Sequence, residues 1–515
     1  MFKKLYKAVF IITFFAVITR IIGFVIRIFM SRYLGAEIIG VYQISVSIAS
    51  VLLTLVSSGI PLTISRLSAE YTTKKEFKKE HKAVTAGTIL ALGLAVILCI
   101  LTIIFKPLII NLSKNELIAS VLIALLPAVI GTALNVGFKG SLWGKEKHFE
   151  NCVVDLIEQI IKVIMIIILV INAKTLEQGL INCAISVSVA CLISTFISML
   201  FYFKHNGKFA NPVGEFKKVI KKSTPITLLR LVTSIGGMLI SVIIPLRLVA
   251  VGYSQDQAIS LFGIALGMVL PLLYLPNTLV GSLSTALIPD LAKLKAEQNM
   301  EEFTIKVRTS ITFSIFISLI FIPCFMGIGK AVGLFVYNNE LSGKMLEYCA
   351  LMMLPMGINN ITSSILNSLG LEVKSFINYV IGSIFLILSI LVLPKYFGIY
   401  ALAIGMTVSL IISAYLNIKM IKKQLNNEKI ILKDMLKMCL FLIPSVLINK
   451  WSFNCLSLAF TQFYSIAISS ILGVVFFISL CLLFKIFTLN GLIVNFKKIK
   501  IFKKNNLKKR LKKHS

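Results

Sequence analysis

Acidic residues and histidine are scarce in this chain of 515 residues. It contains 21 Asp and Glu residues, and its four histidines lie in charged connections or in the tail. No H-E-x-x-H or Walker motif occurs, and no nucleophile, base and orienting carboxylate share one predicted helix face. We therefore expect no metal site, no nucleotide site, no cofactor and no catalytic residue, and we predict that the protein is not an enzyme.

Cysteine spacing of the kind found in metal sites is also missing. The nine cysteines are odd in number, lie mostly within apolar runs and show no C-x-x-C pair. This pattern favours small core residues over disulfides or metal ligands.

Arginine is rare among the basic residues. Of 53 Lys and Arg residues, only eight are arginine, and the net charge of +32 comes mainly from lysines in short connections and in the tail. That distribution indicates membrane topology and not nucleic-acid binding. Since a bidentate contact with phosphate favours arginine, the few arginines inside apolar runs are candidates for binding an anion.

Long apolar runs fill most of the chain. Hydrophobic residues make up 57% of the sequence, the mean hydropathy is +0.92, and many runs exceed the length of about 18 residues that a membrane helix needs. A soluble fold is excluded. The sequence predicts an all-α polytopic membrane protein with fourteen transmembrane helices. Lysine-rich and lysine-poor connections alternate, so the positive-inside rule places both termini in the cytoplasm of a multi-pass cell-membrane protein.

Two similar halves are indicated by matching motifs at the ends of the second and eighth predicted spans. Ser65-Arg66-Leu67-Ser68 is followed 224 positions later by Pro289-Asp290-Leu291-Ala292, and each precedes a basic connection. A parallel duplication of six spans predicts two lobes related by an axis along the membrane normal. The predicted domains are an N-terminal lobe at 1–222, a C-terminal lobe at 223–425, two extra helices at 426–490 and a basic cytoplasmic tail at 491–515.

The first predicted span, Val9 to Met30, carries two arginines on one helix face. Arg20 and Arg27 are seven positions apart, which at about 100° per residue leaves roughly 20° between them. If the helix leaves the cytosol near Lys7, Arg20 lies about 20 Å into a hydrocarbon layer about 30 Å thick. Such a guanidinium is costly against lipid, which predicts a polar cavity that receives an anion. Arg27 either lines the same cavity or snorkels to the outer headgroups.

The fifth predicted span carries charges of both signs. Asp155, Glu158 and Lys162 are spaced i, i+3 and i+7 and share one helix face. They begin close to the predicted cytoplasmic start of the span. They either form an interfacial ion cluster that fixes this helix or act as a cytoplasmic gate that opens as the lobes move.

Short motifs with a regular order run through the predicted spans. They are Thr19-Arg20-Ile21-Ile22-Gly23-Phe24, Ser58-Gly59-Ile60-Pro61, Ser65-Arg66-Leu67-Ser68-Ala69-Glu70-Tyr71, Phe138-Lys139-Gly140, Trp143-Gly144, Ile157-Glu158-Gln159-Ile160, Pro276-Asn277 and Ala286-Leu287-Ile288-Pro289. Over spans one to twelve they resemble the polysaccharide-export and lipid II flippase branch of the multidrug, oligosaccharidyl-lipid and polysaccharide exporter superfamily, and above all its sporulation-type members.

This resemblance implies a V-shaped transporter of two six-helix lobes that moves a lipid-linked pyrophosphate saccharide outward. Arg20 and Arg27 match the first-helix arginines of lipid II flippases. Two positions depart from the pattern: Gly40 stands where those flippases carry an acidic residue, and their arginine of the eighth span falls near Pro271.

Two arginines of the seventh span are candidates to supply the missing charge. They are separated by 17 positions and face about 100° apart, and the second of them either faces the cavity or snorkels. The predicted substrate-binding residues are therefore Arg20, Arg27, Arg230 and Arg247.

Three functions remain open from the sequence. The leading one is a flippase for an undecaprenyl-pyrophosphate-linked cell-wall precursor, above all lipid II for spore cortex or a related peptidoglycan, with membrane lipids and a possible coupling ion as further partners. A polysaccharide repeat-unit flippase is a related alternative. The second is a cation-coupled multidrug extruder. Such a pump needs an intramembrane carboxylate, and predicted spans one, two, seven and eight of this sequence contain none. The third is a membrane scaffold for wall-synthesis enzymes.

Some polar residues either hydrogen-bond a sugar or join helices: Gln43, Asn135, Asn359 and Asn360.

Overall fold

Helices form the architecture of the chain. A computed structural model describes residues 2–425, 432–484 and 486, and no β-strand occurs among them. The helices are α1 (Phe2–Ser57), α2 (Ile60–Thr73), α3 (Phe77–Ile104), α4 (Lys106–Ser113), α5 (Glu116–Gly144), α6 (His148–Ile171), α7 (Leu176–Lys204), α8 (Phe216–Ala250), α9 (Gln255–Phe262), a π-helix (Gly263–Val269), α10 (Leu270–Ala296), α11 (Met300–Ile320), α12 (Ile322–Tyr337), α13 (Glu340–Cys349), a 3-10 turn (Ala350–Met352), α14 (Met353–Ser368), α15 (Glu372–Val392), α16 (Pro394–Phe397), α17 (Tyr400–Gln424), α18 (Leu432–Leu456) and α19 (Gln462–Leu483).

α1 is interrupted at Gly35. This residue has φ 83° and ψ 172°, a backbone conformation that is essentially confined to glycine because it has no Cβ. The apolar segment Ile11–Thr73 is 63 residues long, or about 95 Å as a helix, whereas one bilayer crossing takes about 30 Å. Its length therefore suffices for two crossings, one on each side of Gly35.

Twelve helical segments of the described residues are long and apolar enough to cross a membrane. The predicted all-α polytopic class is confirmed, whereas the predicted number of fourteen spans is not. Two features account for the difference. Ile11–Thr73 counts as one segment, and α6 is not among the twelve because Asp155, Glu158 and Lys162 interrupt its apolar length.

Two compact units divide the chain, and their limits differ from the predicted lobes. The first comprises Met1–Leu272 with Val380–Ser409, and the second comprises Leu273–Tyr379 with Leu410–Ser515. The first unit takes in α8 and α9, both of which pack on α1. The predicted lobe boundaries at 222 and 425 stay a prediction, and the predicted tail at 491–515 lies outside the described residues.

Close helix packing forms the core of the first unit. Buried residues of α1, α2, α3, α5 and α7 meet there, including Ile64 and Ala133. A Cβ at Gly140 would lie 2.8 Å from the Pro61 carbonyl oxygen and 2.9 Å from the Ile64 Cβ. In a membrane, helices associate through such close van der Waals contact at small residues, because lipid provides no hydrophobic drive between them.

Small residues also join α1 to α9 and the π-helix. Gly40 faces the Ile259 backbone and Gly263 faces the backbone of Ala36. Beside this contact, the Gln43 amide donates a hydrogen bond of 3.1 Å to the Leu266 carbonyl of the π-helix. Gln43 therefore joins two helices here.

The second unit contains an amide cluster between α14, α15 and α17. The buried Asn378 amide donates to the Asn417 side-chain oxygen at 2.9 Å, and the Asn417 amide donates to the Asn359 side-chain oxygen at 3.4 Å and to the Ser363 hydroxyl at 3.1 Å. In the same unit, α18 and α19 pack against each other and against α12. The buried Asn449 amide there donates to the Ser469 carbonyl at 3.0 Å.

Candidate anion-binding site

The arginine stripe of α1, Arg20 and Arg27, makes no ion pair with the residues that the structure describes. Arg20 is exposed and Arg27 is half-buried. Neither side chain has a hydrogen bond or an ion pair to any residue that the structure describes. Both guanidinium groups therefore keep their full capacity to bind an anion.

The stripe lies to one side of the apolar face of α1. Large exposed apolar side chains mark that face: Phe14, Val17, Ile21 and Val25. At about 100° per residue, Arg20 and Arg27 lie roughly 105° and 125° from the middle of that face. On the far side of the stripe, Gly23 faces the Gln159 side chain of α6. The arginines thus border the contact between α1 and α6.

Two contacts set the register between α1 and α6. The rings of Phe15 and Phe149 have centroids 5.8 Å apart, and a Cβ at Gly23 would lie 4.0 Å from the Gln159 Oε1. The two helices therefore run in the same direction. Arg27 follows Gly23 by one helical turn, just as Lys162 follows Gln159 by almost one turn.

Arg27 lies level with Lys162 because of this register. Lys162 is 14 residues beyond the first residue of α6, His148, which corresponds to about 21 Å along the helix. Arg20 is seven residues before Arg27 and lies about 10 Å closer to the level of His148.

The acidic residues of α6 are engaged by neighbouring helices. The Lys139 ammonium of α5 donates to Asp155 Oδ1 at 2.6 Å, and the Ser194 hydroxyl of α7 donates to Glu158 Oε2 at 2.8 Å. Asp155, Glu158 and Lys162 share a helix face as predicted, but neither carboxylate is within ion-pair distance of Lys162. Their assignment as a gate or an ion cluster stays a prediction.

Lys162 has no hydrogen-bond or ion-pair partner in the described ranges. It is half-buried, and among the described residues it has electrostatic interactions with Glu158 and Arg27 but no hydrogen bond or ion pair. Next to it, the Gln159 Oε1 is buried and accepts no hydrogen bond from the described part of the chain. An unpaired cation and an unpaired acceptor thus lie side by side.

Arg230 and Arg247 do not converge on one point. Both lie on α8, where Arg230 is exposed and Arg247 is half-buried with a buried Nε that has no hydrogen-bond partner among the described residues. Their separation of 17 residues corresponds to about 25 Å along the helix. A single diphosphate cannot contact both of them, and their role in substrate binding stays a prediction.

Sequence reasoning missed a buried acidic centre at Glu80. Its side chain is fully buried, and its carboxylate receives hydrogen bonds from Ser141 at 2.6 Å and Ser68 at 3.3 Å. Its second oxygen lies 3.1 Å from the Lys145 ammonium and 3.4 Å from His81 Nε2. In the sequence Glu80 sits within a run of lysines and glutamates, which is typical of a solvated surface, so no local signal reveals its burial.

The chemistry of the α1–α6 region suits an anion. Unit charges of opposite sign about 4 Å apart attract by about 4 kcal/mol at an effective dielectric constant of about 20. Arg20, Arg27 and Lys162 can each supply such an interaction. In the described part of the chain, no group of three or more His, Cys, Asp or Glu side chains is placed to hold a metal ion.

Comparisons with known proteins agree with this fold. The chain is 22% identical over 344 residues to stage V sporulation protein B of Bacillus subtilis (strain 168), and the match spans 63% of each protein. The structure of lipid II flippase MurJ in an inward closed conformation is 18% identical, with a TM-score of 0.71 over 92% of this chain and 98% of that one. An inward-facing multidrug resistance MATE family transporter of the MOP superfamily is 14% identical, with a TM-score of 0.64 over 79% of this chain and 94% of that one.

The fold is therefore that of the MOP superfamily of transporters, and the protein is a multi-pass membrane protein. The predicted resemblance to this superfamily and to its sporulation-type and lipid II flippase members is confirmed. Residues 5–295 match the family described as polysaccharide biosynthesis protein. Because this match covers more than half of the chain, the protein belongs to the polysaccharide biosynthesis protein family.

Proposed function

We propose that the protein is a flippase that moves an undecaprenyl-pyrophosphate-linked saccharide outward across the cell membrane by alternating access. The observation that carries this proposal is the stripe of Arg20 and Arg27 on an apolar helix, without a carboxylate partner in the described residues. Two similar proteins support it, because one is a lipid II flippase and the other is a sporulation protein. A lipid II-like precursor of the spore cortex is the substrate that we favour.

Desolvation explains why such a transporter needs unpaired arginines. A diphosphate that enters a membrane cavity loses hydrogen bonds to water, and burial of an unpaired charge is costly. Guanidinium groups replace those bonds with charge-assisted ones. An internal carboxylate would compete for the same guanidinium groups. That no carboxylate of the described residues pairs with Arg20 or Arg27 therefore fits an anionic substrate.

Two related functions receive some support. The family description favours a polysaccharide repeat-unit flippase, whose lipid-linked substrate differs mainly in its saccharide. The likeness to a multidrug MATE transporter favours a cation-coupled extruder. A cationic substrate or coupling ion would need a free carboxylate, whereas Asp155 pairs with Lys139 and Glu158 accepts a hydrogen bond from Ser194.

Substitution of Arg20 tests the proposal. In cells depleted of other flippases, outward display of the lipid-linked precursor is measured for the wild type and for Arg20→Ala and Arg20→Lys. We expect Arg20→Ala to lower display by about tenfold or more, because a lost charged hydrogen bond costs about 1.5–3 kcal/mol. Arg20→Lys should retain part of the activity, because lysine keeps the charge but not the bidentate fork.

Arg66→Ala is the matched control. Arg66 is an exposed arginine of α2 and makes no hydrogen bond or ion pair with the described residues, so its replacement removes the same charge elsewhere. We expect its display to stay within about twofold of the wild type, as for other surface substitutions. Wild-type display by Arg20→Ala would contradict an anion site on α1.

A further inference from the structure

Lys162 of α6 lies where a third cation would complete the α1 site. We propose that Lys162 and Arg27 together bind the diphosphate group of the lipid-linked substrate in the gap between α1 and α6. This inference rests on the proposed function and assigns to substrate binding a lysine for which the sequence predicts a place in an ion cluster or a gate.

The partners of the neighbouring charges argue for this assignment. The Lys139 ammonium forms an ion pair with Asp155 at 2.6 Å, and the Ser194 hydroxyl donates a hydrogen bond to Glu158 at 2.8 Å. Lys162 is left without an ion pair in the described chain, although it lies about 21 Å along α6 from His148, the first residue of that helix. An ammonium without an ion pair at such a position is costly, and an anion that binds there offsets this cost.

The cations of Arg27 and Lys162 lie at the same height along α1 and α6. Arg27 interacts electrostatically with Lys162, and the helix register places one beside the other. Without an anion the two cations repel each other. A diphosphate with at least two negative charges attracts both of them and so offsets this repulsion. The pair is therefore arranged for a doubly charged ligand.

The backbone provides room for that ligand. Gly23 has no side chain, and the Gln159 Oε1, at 4.0 Å, is the one atom within 4 Å of a Cβ at this position. That oxygen is buried and has no hydrogen-bond donor among the described residues, so its capacity to accept a hydrogen bond is unused. Arg20, Arg27 and Lys162 border the same gap.

Binding of undecaprenyl diphosphate to the purified full chain in nanodiscs tests the inference, with undecaprenol as the uncharged probe. Lys162→Met should weaken diphosphate binding by about tenfold or more, as expected for a charged hydrogen bond, and should leave undecaprenol binding unchanged. Lys162→Arg should stay within about threefold of the wild type, because it keeps the charge.

Lys139→Met is the matched control, because it removes one positive charge from the same region but from a cation that is already paired. We expect it to weaken diphosphate binding by less than about threefold. A second variant, Gly23→Leu, fills the gap without any change of charge and should weaken diphosphate binding, whereas Gly23→Ala should not.

The outcomes separate this inference from the proposed function. If the wild type binds undecaprenyl diphosphate no better than undecaprenol, the proposed function fails and the inference fails with it. If the wild type prefers the diphosphate but Lys162→Met retains that preference, or loses it no more than Lys139→Met does, Lys162 is not part of the site and the proposed function stands. If Lys162 has a structural role instead, Lys162→Met should lower the unfolding temperature without a selective loss of diphosphate binding. That result would also overturn the inference.

Discussion

Gly40 offers a sharp test of how α1 packs in this protein. A Cβ at this position would overlap the Ile259 carbonyl oxygen and would lie 2.8 Å from the Ile259 Cγ2. Both helices present backbone at this point, since Gly263 meets the Ala36 carbonyl in the same way. We predict that Gly40→Ala destabilises the protein and that Gly40→Asp does so more strongly.

The magnitude follows from the contact. A rigid backbone carbonyl cannot swing away as a long side chain can, so the two helices must separate by about 1 Å to accept one methyl group. A gap of 0.5–1 Å forfeits about a quarter to a half of each dispersion contact along the seam. Overpacking of this kind costs about 1–3 kcal/mol, and Gly40→Asp adds the cost of a buried carboxylate without a partner.

Reversible unfolding of the purified protein in mixed micelles measures this cost. The control is Gly93→Ala, because Gly93 lies in α3 and nothing stands within 4 Å of its Cβ position. There the substitution should leave stability unchanged or raise it by about 0.5–1 kcal/mol through helix propensity. Equal stability of Gly40→Ala and the wild type would refute the close packing of α1 on α9.

Two further substitutions test other parts of the fold. Glu80→Ala should lower the free energy of unfolding by about 3–5 kcal/mol, because it leaves the Lys145 ammonium without its carboxylate. The exposed Glu76–Lys79 pair provides the control. Glu76→Ala should lower the free energy of unfolding by less than about 1 kcal/mol in the same measurement. Gly35→Ala should cost about 1–3 kcal/mol in that assay, because alanine is strained at φ 83° and ψ 172°, and unchanged stability would contradict the break in α1.

The helices themselves were largely predictable. Apolar runs long enough to cross a bilayer must satisfy every backbone group internally, and helices do so with local hydrogen bonds. For this reason the class of fold and the stripe of Arg20 and Arg27 could be predicted from residue type and spacing. The number of spans was less certain, because charged residues inside α6 and the single break at Gly35 blur where one crossing ends.

The partners of the polar residues were much less predictable. The i, i+3, i+7 spacing placed Asp155, Glu158 and Lys162 on one face, but the two carboxylates interact with α5 and α7, which are remote in the sequence. Glu80 is similar, because only the packing of α2, α3 and α5 distinguishes it from the exposed charges beside it.

Gly40 shows how the structure explains a departure from the resembled flippases. The sequence records only that a glycine stands where those proteins carry an acidic residue. The packing against Ile259 leaves no space for any side chain there.

The sequence by itself determined that this chain crosses a membrane many times and that two arginines share one face of its first helix. These properties depend on hydropathy and on helical periodicity, which are local. Only the tertiary structure decided that Arg27 lies level with Lys162 and that the acids of α6 already have partners. The physical reason is that such contacts depend on the register between helices that are remote in the sequence, which side-chain packing such as that of Phe15 on Phe149 sets.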